Sequence, residues 1–213
     1  MDAPQSELTH CLPTRLRNIG YHDVAVHGSD GRIFDRRSWY PRIGFQEARF
    51  KQQFREENLS DCIGAFVGTC DTAIADWIGN RLRVPENDPQ FIYWMTLNSH
   101  LPVPNPPALS SPASCSSVKS LDTHPALCAW FQLVFNVHQA VHDLATRDHE
   151  RPTVFVLVGD HAPPFSDLEL RNDFSYENVP YLVLIPKGLT QAGSHKAVIK
   201  PLPAKQYPRV SLE

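Results

Sequence analysis

Nowhere in the 213 residues does an apolar run approach the roughly 18 residues that a membrane-spanning helix requires. No basic-then-apolar stretch opens the chain, so no secretory leader is visible. No two cysteines stand as Cys-x-x-Cys, which removes the usual signature of a structural zinc site. Charge is nearly balanced: 20 Lys and Arg against 23 Asp and Glu leave a net −3, which argues against a broad nucleic-acid surface. No internal repeat is present. What remains is 42% apolar and 20% charged, ordinary for a folded domain and long enough for one hydrophobic core.

Five cysteines form an odd set. Cys62 with Cys70, and Cys115 with Cys128, each bracket a short loop-rich stretch and could close disulfides in an oxidising compartment. Five free, mostly buried thiols fit the spacing as well. The 19 prolines point to long shaped loops. Residues 101–120 alone hold five prolines and six serines without any period, the mark of a loop with a purpose or of a mobile one.

Apolar runs alternate with helical patterns, which is how an α/β sheet reads. Strands are expected at Asp23–His27, Phe91–Leu97, Thr153–Val158 and Tyr181–Ile185, with an edge strand at His195–Lys200. The second is apolar on both faces and reads as central. A helix should run from Pro13 to Ile19, with Gly20 at its end. Asp71 can cap another reaching Leu82, with Ile74, Ile78 and Leu82 on one side. A longer helix spans about 122–145, its core stripe Leu127, Trp130, Val134, Val137, Val141 and Leu144.

In open α/β sheets, ligands bind beyond the carboxyl ends of the strands. Here three strands end in His27-Gly28, in Asn98-Ser99-His100 and in Gly159-Asp160-His161, so three histidines should share one rim. Asp160 and His161 offer oxygen and nitrogen ligands suited to Zn²⁺ or Mn²⁺, though two ligands do not complete a site. His138 and His142, one turn apart with Phe131 and Phe135 on the same line, read as partly buried packing. The run Arg81–Arg83 reads as a solvated helix end, and Leu212-Glu213 as a cloning scar.

The stretch from Gly20-Tyr21 to His27-Gly28, then Phe34-Asp35-Arg36-Arg37 and Tyr40–Phe45, resembles the middle of sulfatase-like transferases of the alkaline phosphatase superfamily. These include lipoteichoic acid synthases and phosphoethanolamine and phosphoglycerol transferases. Thr96–Pro102 resembles their "T-x-x-S/N-H-x-P" segment, and Val158–His161 their "GDH" strand end. The likeness covers about residues 10–190. It implies a three-layer α/β sandwich around a mostly parallel sheet, alkaline-phosphatase-like and incomplete at its N-terminus, with residues 1–213 as one partial domain. It makes Asp160 and His161 ligands of a divalent metal (Mn, Zn or Mg). It makes His27, Arg36 and His100 binders of the ester oxygens and head group, with His100 and His27 catalytic. The implied substrate is a phospholipid or glycan head group at the outer face of a bacterial inner membrane. Nucleic acid is not a partner, and any membrane contact would run through a segment this chain lacks.

Two departures qualify the resemblance. The family's nucleophilic Thr and second metal carboxylate lie upstream of the first helix, where this chain has only a dozen residues. Thr9 and Glu7 are the right types but sit too close to that helix, and Thr9 reads as local capping. No further His follows between Ala162 and Val179, which favours the single-metal, lipoteichoic-acid-synthase-like pattern. A non-catalytic anion- or glycan-binding relative, or an unrelated metal-dependent hydrolase using His27, His100 and His161, are the alternative readings.

Overall fold

β1 (His22–His27) is the strand around which the first half of the chain is built; Val24, Ala25 and Val26 have no exposed surface. The computed structural model describes residues 5–103, 115, 121 and 123–190. Along these run α1 (Leu12–Arg17), β1, α2 (Arg36–Arg42), β2 (Glu47–Arg49), α3 (Lys51–Glu56), β3 (Asp61–Cys62), β4 (Gly68–Thr69) and α4 (Asp71–Arg83). There follow β5 (Gln90–Met95), α5 (Pro125–Ala145), β6 (Phe155–Val158), α6 (Leu168–Asn172), β7 (Tyr181–Leu184) and α7 (Lys187–Thr190). The expected edge strand at 195–200, most of the 101–120 loop and the last two residues lie outside the described residues. No described helix is long and apolar enough to cross a membrane.

β2, β1 and β5 form a parallel sheet in that order, with Val24 opposite Glu47 and Ile92. Because successive side chains alternate faces, Val24 and Val26 point one way and Ala25 the other. The first pair packs with Phe54 of α3, Ile74, Ala75 and Ile78 of α4, and Ala140 and Leu144 of α5. Ala25 packs with Tyr40 of α2, Phe45 and Phe50. Helices thus cover both faces, which is the expected three-layer arrangement. β6 pairs antiparallel with β7, and β3 with β4.

Three expectations change. Among the described residues β5 is an edge of the parallel sheet and not central, and β1 is the middle strand. Hydropathy reports how a strand's faces are covered, not which strands flank it. Asp71 does not cap its own helix: its carboxylate accepts from the N–H groups of Leu97 and Asn98. In α5 the buried positions are Leu127, Leu133, Val137, Ala140 and Leu144, whereas Trp130, Val134 and Val141 of the expected stripe are only half-buried.

Candidate active site

The rim begins where β1 ends. His27 is 4% exposed, and its Nδ1 donates to the Met95 carbonyl at 3.0 Å. Burial lowers its pKa, the Met95 bond opposes that, and the charge of Arg36 lowers it further. A neutral imidazole that donates through Nδ1 keeps its Nε2 lone pair as an acceptor. Just beyond, Gly28 and Gly68 let two backbones meet: the Thr69 N–H donates to the Gly28 carbonyl at 2.8 Å, and a Cβ on Gly68 would lie 2.5 Å from that same oxygen.

Arg36 opens α2 after two consecutive left-handed residues, Phe34 (φ 54°) and Asp35 (φ 52°). That conformation is costly for residues other than glycine, and it turns the chain sharply before α2. Arg36 is 7% exposed. It donates to the Ile33 carbonyl at 2.9 Å and to Met95 Sδ at 3.3 Å, and its guanidinium lies 4.9 Å from the centroid of the exposed Phe34 ring. Its Nε is buried without a hydrogen-bond partner. Met95 therefore holds both groups, His27 through its carbonyl and Arg36 through its sulfur.

Tyr93, also on β5, has its hydroxyl pKa raised by burial first, with Arg36 lowering it and Asp160 raising it again. Its hydroxyl thus stands within the field of both the guanidinium and the carboxylate. His100 follows β5; its Nδ1 donates to the Leu101 carbonyl, and its ring meets Phe66 edge-on at 5.0 Å and His161 at 6.3 Å. The turn that delivers it is clamped. Asp71, 1% exposed, accepts from Leu97 N–H at 2.9 Å and Asn98 N–H at 2.6 Å, while Asp71 N–H donates to Asn98 Oδ1 at 2.7 Å. Burial pushes the Asp71 carboxyl up to about 6 against the opposing pull of the Asn98 and Leu97 N–H groups. The neighbouring Cys70 is bonded to Cys62, so the wall carrying Phe66 is closed covalently.

Asp160 and His161 follow β6 and are exposed. Asp160 accepts from the His161 N–H at 2.9 Å, and its Oδ2 lies 3.4 Å from His161 Nε2. His161 Nδ1 donates to the Ala162 carbonyl at 2.8 Å, which leaves the ring's lone pair on Nε2. A carboxylate oxygen and a ring nitrogen facing one another fit two corners of a divalent metal site. Among the described residues no group of three or more candidate ligands gathers, so the donor set is partial.

The structure thus joins His27 to Arg36 and His100 to His161, with Tyr93 electrostatically between Arg36 and Asp160. His138 and His142 do not belong to the rim and, against expectation, are exposed; His142 Nδ1 pairs with Asp143 at 3.0 Å. Arg81 is no solvated helix end either, since it is fixed by Glu47 at 3.1 Å and Gln90 at 2.6 Å. Thr9 and Glu7 lie in the 3₁₀ turn Gln5–His10 that leads into α1. Met95, Tyr93 and Phe66 escaped sequence reasoning. Asp71 was read only as a helix cap, and Asn98 only as part of the strand end that leads to His100.

The family model described as Sulfatase matches residues 3–203. The lipoteichoic acid synthase LtaP from Listeria monocytogenes is similar in fold, with 16% identity and a TM-score of 0.53 over 82% of this chain and 46% of that one. The Streptococcus pyogenes phosphoglycerol transferase GacH, solved with sn-glycerol-1-phosphate, shows 19% identity and a TM-score of 0.50 over 78% of this chain and 43% of that one. The chain spans less than half the length of these solved relatives. Comparison with the curated proteins gives no match.

Proposed function

The chain belongs to the sulfatase family, and from that premise we propose that it carries the anion-binding half of a metal-dependent phospho- or sulfo-ester transferase or hydrolase site. The substrate class is a phospholipid or glycan head group of the cell envelope, in keeping with the glycerol phosphate bound by one structural relative. One observation carries the reading: a nearly buried guanidinium and a nearly buried histidine are both held by Met95 at the end of β1.

Each residue then has a task. Arg36 offers planar donors to the anionic oxygens of a tetrahedral ester. His27, donating inward to Met95, turns Nε2 outward as an acceptor for a head-group hydroxyl. His100, anchored through Nδ1, presents Nε2 to take or return a proton at an ester or acceptor oxygen. Asp160 and His161 would hold a divalent ion, which supplies charge neutralisation and a lowered pKa for a bound hydroxyl. The disulfides Cys62–Cys70 and Cys115–Cys128 suit an extracytoplasmic location.

The second reading, a non-catalytic anion or glycan binder, is favoured by the partial donor set. Turnover separates the two. Without a recognised nucleophile the covalent route is closed. Hydrolysis of p-nitrophenyl phosphate by this chain should be no faster than by the His100→Ala, Asp160→Ala double variant. Calorimetry with sn-glycerol-1-phosphate and Mn²⁺ should show binding that Arg36→Gln weakens about ten- to a hundredfold. Unchanged affinity would sink the assignment of Arg36. Robust turnover abolished by Asp160→Ala would place a nucleophile within this chain, with Thr9 the first residue to replace.

A further inference from the structure

Arg36 keeps its charge among neutral groups. Its nearly buried side chain is surrounded by the Ile33 carbonyl, the Met95 sulfur, the face of the Phe34 ring and the Tyr40 phenol. Burial raises the Tyr40 pKa to about 12, with Tyr93 adding to the rise and Arg36 opposing it, so the phenol stays protonated at neutral pH. The carboxylates nearest in sequence or along the rim are engaged elsewhere. Asp30 pairs with Arg32 at 2.7 Å, and Asp35 accepts from Ser38 Oγ at 2.5 Å. Asp160 accepts from the His161 N–H, and Asp71 from those of Leu97 and Asn98. Among the described residues no carboxylate pairs with Arg36. Buried charges ordinarily have a partner, and one left without compensation is costly.

Met95 grips its two neighbours by different handles. His27 Nδ1 donates to the Met95 carbonyl, a backbone atom that any residue at this position would present. Arg36 Nη2 donates to the sulfur at 3.3 Å, which belongs to the side chain alone. Packing does not call for that sulfur, because leucine fills nearly the same volume. A thioether is a weak acceptor, so it fixes the direction of a guanidinium and leaves its charge in place. A carboxylate at the same reach would form a charge-assisted pair and cancel it.

We propose that Met95 is a positioning residue: its thioether aims the Arg36 guanidinium at the incoming anion without neutralising it, so the side chain at this position sets the affinity for an anionic head group. The role presupposes the anion-binding reading of Arg36 and adds a second residue to it. His27 is independent of that side chain. Changing residue 95 should therefore disturb one binder and spare the other.

Calorimetry with sn-glycerol-1-phosphate and Mn²⁺ on the 213-residue chain tests this, with NMR of the Arg36 side-chain N–H groups and the His27 ring. Met95→Leu should weaken binding about three- to tenfold, the loss of one neutral hydrogen bond. Met95→Glu should weaken it about a hundredfold, because the new carboxylate occupies the guanidinium. In both variants the Arg36 signals should shift while the His27 ring signals stay, which a general packing defect would not produce. In an Arg36→Gln background Met95→Leu should cost nothing further. Selenomethionine, which otherwise replaces only Met1, should bind like the parent. Protected Val24 and Val26 amides certify the fold of each variant, and if Met95→Glu loses that protection the leucine variant decides. Parent-like affinity in the Met95 variants, with Arg36→Gln still weakening binding, overturns the role of Met95 and leaves the anion site standing. So do His27 signals that move together with those of Arg36. Affinity that Arg36→Gln leaves unchanged overturns the site and the role together.

Discussion

β1 and β6 are both short, rich in valine, and both end in a histidine-bearing rim, but their surroundings differ completely. Val24 and Val26 have no exposed surface, whereas Val156 and Val158 are more than half exposed. The difference is not in the strands. β1 has a partner on each edge and a helical layer on each face, while among the described residues β6 has one partner and borders a cleft. Residue chemistry thus decides that a segment will be a strand, and the neighbours decide whether that strand stabilises anything.

Matched truncations give the largest expected contrast. The Val24→Ala, Val26→Ala double variant should lose about 4 kcal/mol, from transfer plus cavity terms at two fully buried sites. The Val156→Ala, Val158→Ala pair should stay within about 1 kcal/mol. Equal losses in urea denaturation would show that β6 is packed in solution and would end the contrast.

The two disulfides sharpen it from another side. They close loops of similar length, with separations of 8 and 13 residues, so each should contribute about 2–3 kcal/mol by restricting the unfolded chain. Their local effects should differ. Cys62→Ser with Cys70→Ser opens the wall that carries Phe66 and should shift the His100 ring resonances in NMR. Cys115→Ser with Cys128→Ser should cost similar stability and leave those resonances in place. Identical spectra for both variants would show that the Phe66 loop does not position His100.

Four strands and two of the longer helices were legible because each has a clear period or an apolar run. β2, β3 and β4 were not, being two or three residues long with no pattern to detect. The residue types at three strand ends, His27, His100 and Asp160-His161, were legible as candidates for the proposed site. What tunes it was not. Met95 acts through a carbonyl and a sulfur, and Asp71 acts across 26 residues on Leu97, contacts that no local pattern encodes. The position of β5, an edge among the described residues, was not legible for the same reason, since the strands that flank it are a tertiary fact.

Asp71 is the link between the well-packed half and the rim. Asp71→Asn replaces one of the two oxygens that hold Leu97 and Asn98 with an amide donor facing N–H groups. Leaving one buried donor unsatisfied should cost about 2 kcal/mol. Faster exchange at the Leu97 and Asn98 amides, with β1 protection retained, would locate the damage in the turn that delivers His100. A uniform loss of protection would make Asp71 a general core residue and remove the link.

The smallest expected effect tests whether the well-packed half carries a local conflict of its own. Asp23 is fully buried on β1, and neither carboxylate oxygen has a hydrogen-bond partner. Burial raises its pKa to about 6, with Arg17 and His22 pulling the other way. For an acid raised in the folded state, the contribution to stability is fully present below the unfolded value of 3.8 and is lost as pH rises through about 6. Above that, folding must keep an unpaired carboxylate out of water. Asp23→Asn removes the charge but brings two amide donors that also lack partners, so the gain is only about 1 kcal/mol. Urea denaturation at several pH values should show the variant drawing ahead of the parent between about pH 4 and 6 and holding a constant lead above. Some slope will persist in both proteins, because Asp71 has its carboxyl raised over the same window. A lead that does not change with pH would show that Asp23 is already paired in solution.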